Sequence, residues 1–171
     1  MPQRTAIERA FLLDLESGQR LFFQNMPEEL AESKAANWND TEILGRSEPI
    51  KAYSSSTARA ISLTLQFAAS IDAGDKGTTG SLLDKLRFVR SLVYPVYTEI
   101  TLAPSKVLLS IGQWFKIVGV VRDYTVTYQR PWTEEATEPT LATVAISIEE
   151  ANVNPFGRVD ILSAADLSAR G

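Results

Sequence analysis

Proton transfer at neutral pH runs most often through histidine, and thiol chemistry through cysteine. This chain of 171 residues contains neither. Ser-His-Asp and Cys-His arrangements are therefore excluded. What remains are adjacent carboxylates, at Glu28-Glu29, Glu134-Glu135 and Glu149-Glu150. A glycosidase needs two carboxylates facing each other across a cleft, about 5–10 Å apart. Sequence neighbours on a strand point to opposite faces instead, so these pairs read as solvated. No Asp-x-Asp-x-Asp-Gly loop offers a calcium site. Ser54-Ser55-Ser56 has neither a histidine to activate it nor a Ser-x-x-Lys pattern around it. Gly74, Gly77 and Gly80 lack the spacing and the Lys-Ser/Thr ending of a phosphate loop. No catalytic residue, no cofactor and no metal is expected.

Residues suited to binding are easier to find. Trp114 opens an apolar segment and reads as core, and Trp132 closes a loop. Trp38 stands in a long polar stretch. It is either pinned to the chain's own core or offered to a neighbour, since tryptophan is enriched at binding hot spots. Arg46 and Glu48 flank Ser47 in Leu-Gly-Arg-Ser-Glu-Pro. They read as an intersubunit ion pair or as an exposed pair that contributes little. Trp38, Arg46 and Glu48 are the candidate interface residues.

The elements that must position them follow from periodicity. An apolar run at 10–16, Ser17-Gly18 and a second run at 19–24 predict a hairpin. Residues 25–56 are polar, hold Pro27 and Pro49 and show no sustained period. So long a loop is uncommon in a compact domain, and it is usually functional or hides short strands. Ile61, Leu63, Leu65 and Phe67 alternate with polar residues, the pattern of a half-buried strand. A Gly-rich loop at 72–80 leads to a helix over 81–93, capped by Thr79 or Ser81 and ended by Tyr94-Pro95. Strands are predicted at 106–111, at 114–128 and at 140–149. Gly119 marks a bulge or a close backbone approach. Residues 1–150 read as one domain and 151–171 as a short tail.

Composition is that of an ordinary globular domain: 44% hydrophobic and 22% charged, with a net charge of −4. An acidic chain without Lys/Arg runs is a poor nucleic-acid clamp. No segment reaches the roughly 20 apolar residues of a membrane span, and the first residues lack the apolar stretch of a signal peptide. The expected class is mainly β with one helix: an antiparallel barrel or sandwich with a flanking helix and a long loop.

One resemblance gives these pieces a context. Leu21-Phe22-Phe23-Gln24-Asn25-Met26-Pro27-Glu28-Glu29-Leu30 is followed by Ser33-Lys34-Ala35-Ala36-Asn37-Trp38 and Gly45-Arg46-Ser47-Glu48-Pro49. In this order the phrases resemble the opening of the tube family of contractile phage tails and contractile injection systems. Met26 interrupts the family's Asn-Pro. The later strands continue the likeness to about residue 150. The resemblance implies a tail-tube-like β domain of the baseplate-proximal or tube-initiator type. It implies a virion component assembled in the bacterial cytoplasm, and not an enzyme. Its partners would be copies of itself in a ring, a hexamer by family analogy, together with the baseplate hub or spike and the tail tube. DNA would be passing cargo, and no membrane would be involved. Many members carry a LysM module after the domain, for which residues 151–171 leave no room. The alternative reading is a β-sandwich module that binds a cell-surface glycan or another ligand.

Overall fold

The computed structural model describes residues 10–69, 82–97, 103–132 and 139–151. The Gly-rich stretch at 72–80, the helix-capping candidates Thr79 and Ser81, Glu134-Glu135 and the tail beyond Ala151 lie outside them. Among the described residues the protein is mainly β with a single helix, as expected. The strands are β1 (Phe11–Asp14), β2 (Arg20–Phe22), β3 (Leu30–Ser33), β4 (Ala36–Thr41), β5 (Ile50–Ser56), β6 (Ala60–Ala68), β7 (Val107–Ile111), β8 (Phe115–Trp132) and β9 (Pro139–Glu150), with helix α1 (Leu82–Ser91) between β6 and β7.

The body is one seven-stranded antiparallel sheet in the order β2-β1-β7-β8-β9-β6-β3. Alternation sets its inner face. Ile61, Leu63, Leu65 and Phe67 of β6 are buried, as are Ala142, Val144, Ile146 and Ile148 of β9. Leu12, Leu21, Leu109 and Ile117 bring β1, β2, β7 and the start of β8 into the same apolar cluster. Leu82, Leu86, Phe88, Val89 and Leu92 add the helix to it. Lys85 is buried too, with its Nζ 5.7 Å from the centre of the Phe67 ring. The amphipathic count of α1 foresaw the leucines but not this lysine.

Strand β8 runs through both halves of the sheet. Its first residues pair with β7 and the rest with β9. At the crossover Gly119 faces Val107 on one side and Glu150 on the other. A methyl group built there would collide with the Glu149 carbonyl oxygen and lie 2.9 Å from Ile148 Cγ2. The glycine is thus a close approach, and the register shift follows just beyond it, between Val121 and Asp123.

Two readings that the sequence left open are decided. The sheet does not close into a barrel. β2 and β3, at its two ends, share no backbone pairing among the described residues. The segment that leaves β2 is tied to the end of β6 by a side chain: the Gln24 amide accepts from the Ala68 N–H (2.7 Å) and donates to the Ala68 carbonyl (3.0 Å). The segment at 25–56 is also not a structureless loop. It holds β3 and a separate two-stranded sheet, β4-β5.

The β1–β2 turn is fixed by Asp14. Its carboxylate accepts from the Ser17 hydroxyl (2.6 Å) and the Glu16 N–H (3.1 Å), and Gly18 supplies the left-handed φ of 71°. Burial pushes the Asp14 carboxyl up, but hydrogen bonds from Ser17, Ser105 and the turn amides outweigh it and hold the carboxyl below its usual 3.8. A depressed folded value stabilises the fold above the unfolded value. That contribution is lost as pH falls through the folded value. Asp14→Asn should therefore cost about 1.5–3 kcal/mol at neutral pH, with the deficit shrinking on acidification below pH ~4. Urea titrations of both proteins across pH 2.5–7 check this. Gly119→Ala should cost about 1–3 kcal/mol or more by overpacking, read as a lower denaturation midpoint.

Candidate functional site

The described residues most exposed to a partner lie on the β4-β5 hairpin. Every residue of both strands is exposed. The hairpin joins the body through a short neck. There the Thr57 N–H donates to the Ala35 carbonyl (2.8 Å), and the Thr57 hydroxyl accepts from the Ala35 N–H (2.8 Å). Below the neck Arg59 lies over the Phe115 ring at 5.6 Å, with its Nε 3.3 Å from Glu32 Oε1. Among the described residues the arm is therefore anchored on the sheet at its base, and its strands beyond are exposed throughout.

Its strands form by cross-strand pairing. Trp38 pairs with Tyr53 and Asp40 with Lys51, so these four side chains share one face. The Trp38 and Tyr53 rings meet edge to face, 5.6 Å apart at 74°. Lys51 Nζ lies 3.3 Å from Asp40 Oδ1. The Tyr53 hydroxyl is 2.8 Å from that of Ser56, and the Asn37 amide donates to the Ser55 hydroxyl (3.2 Å). At the tip, residues 42–49, the Arg46 N–H donates to the Ile43 carbonyl. Leu44 is wholly exposed and Ile43 is 45% exposed.

All three candidate interface residues thus belong to one arm. Trp38 is 55% exposed and takes no part in the core, which settles its two sequence readings against an own-core anchor. Arg46 and Glu48 stand exposed at the tip, with no ion pair between them among the described residues. Tyr53 and Leu44 escaped the sequence reading, although tyrosine fifteen residues after Trp38 in the Ala-Tyr-Ser run was the available signal. Trp114 was misplaced. It is 73% exposed at the β7–β8 turn, and its neighbour Phe115 fills the core position instead.

Two faces of the sheet complete the surface. The outer side of β6 and β9 carries Ser62, Thr64, Gln66, Thr143, Ala145 and Ser147, beside Thr125 and Thr127 of β8. A shallow depression there is bordered by Glu29 and Asp123. The outer side of β2, β1, β7 and the start of β8 is apolar and basic instead. Cross-strand pairing aligns Arg20, Leu13, Leu108 and Val118 in one row and Phe22, Phe11, Ser110 and Lys116 in the next.

Among the described residues no three carboxylates gather where a metal could bind, and no helix is long and apolar enough to cross a membrane.

Because the Trp38–Tyr53 contact lies outside the core, Trp38→Ala should change global stability by no more than about 1.5 kcal/mol. It should selectively speed amide exchange over 36–56 relative to β6 and β9, as read by hydrogen-exchange mass spectrometry. No family model matches the chain, and no curated protein matches it in sequence.

Proposed function

We propose that this chain is a structural subunit that assembles with copies of itself into a ring, as part of a contractile phage tail or a related injection machine between baseplate hub and tail tube. One observation carries the reading: a hairpin arm exposed along both strands and bearing an exposed aromatic pair. A lone two-stranded hairpin is at best marginally stable in water. An arm of this kind gains its full stability by burial against another chain, and its free backbone edges suit strand addition. The ordered phrases from Leu21 to Pro49 add the resemblance to tube proteins, and the Ser/Thr-rich outer face of β6 and β9 suits a passage for DNA because it offers no cationic grip on phosphate.

The glycan-binding alternative draws less support. A sugar platform needs ring faces laid open side by side, whereas Trp38 and Tyr53 meet edge to face.

Native mass spectrometry and negative-stain microscopy test the proposal. The expected result is a closed ring, alone or on addition of hub or tube proteins. Replacing residues 36–56 by a short linker should leave a folded monomer. A parent chain that stays monomeric and binds no tail protein would count decisively against the reading.

A further inference from the structure

Resting on the assembly reading above, we infer that the arm tip of one copy seats on the apolar, basic outer face of the β2-β1-β7-β8 sheet of the next. The face carries Phe11, Leu13, Phe22, Leu108 and Val118 pointing away from the core, since their alternate neighbours Leu12, Leu21, Leu109 and Ile117 point into it. Phe11 and Phe22 touch on it, 6.0 Å between ring centres, and Arg20 lies 5.7 Å over the Phe11 ring. None of these five apolar residues packs against the core cluster. Arg20, Lys106 and Lys116 border them, and no carboxylate stands among the outward residues of these strands up to Val118. All five are half-buried, so the strip is partly open, and an apolar strip with a charged rim suits an interaction surface.

The complement is present on the same chain. The tip offers Ile43 and Leu44, flanked by Glu42 and Glu48, so that with Arg46 it carries a net negative charge. Glu42 and Glu48 have no ion pair among the described residues, and the wholly exposed Leu44 has no place on its own body. Apolar meets apolar, and carboxylates meet a cationic rim. Because knob and receiving face lie at different places on one chain, the contact is head-to-tail, the kind that closes into a ring or continues as a stack.

The test uses the full chain. Leu44→Asp cannot disturb a core that Leu44 does not touch, and it should weaken self-assembly roughly tenfold or more by sedimentation velocity. The chain has no cysteine, so a mixture of Leu44→Cys and Leu13→Cys chains should yield, on mild oxidation, a disulfide between the two variants. Normal assembly of Leu44→Asp, or cross-links formed only between two Leu44→Cys chains, would overturn this contact while leaving the ring reading intact. A parent chain monomeric at every concentration would overturn both.

Discussion

The fold depends on a close approach of backbone at Gly119. There β8 leaves its partnership with β7 and takes up β9, and the carbonyl of Glu149 occupies the space a side chain would need. A single strand of 18 residues thereby serves both ends of the sheet. The apolar rows of β1 and β7 can then face those of β6 and β9 in one continuous core. Without that passage the chain would hold two narrow sheets, each too small to bury much.

The same economy explains the tie beyond β2. Full closure would need backbone pairing between β2 and β3, which are joined through Pro27. The Gln24 side chain takes over with an amide that donates and accepts like a peptide group, satisfying Ala68 at the end of β6. The outward faces of the sheet differ: small and hydroxylated on β6 and β9, apolar and cationic on β2, β1 and β7.

Much of this was legible in the residues. The buried rows of β6 and β9 follow their alternation, and the single helix follows its spacing, because burial on one side writes a period into the sequence. The arm was not legible as strands for the same reason: Ala36 to Thr41 and Ile50 to Ser56 bury nothing, so no period was imposed. Trp114 was taken for core because a large apolar ring beside Phe115 fits either position, and only the one-residue phase decides which turns inward. Lys85 escaped the reading, since a charged residue does not mark a core position, yet it is buried with its Nζ over the Phe67 ring. Of the candidate site, Trp38, Arg46 and Glu48 all fall on the exposed arm. The outward row of Phe11, Leu13 and Phe22 was absorbed into a hairpin whose two faces both looked apolar.

The narrow neck at Ala35 and Thr57 separates two kinds of mutational burden. In the proposed assembly, changes in the body are judged by whether the chain folds, and changes beyond the neck by whether it joins its neighbours. A chain damaged only in its arm would still fold and still present its receiving face. In the proposed assembly such a chain accepts one neighbour and offers nothing to the next. It would act as a terminator that poisons intact copies, a dominant effect that loss of folding alone does not produce.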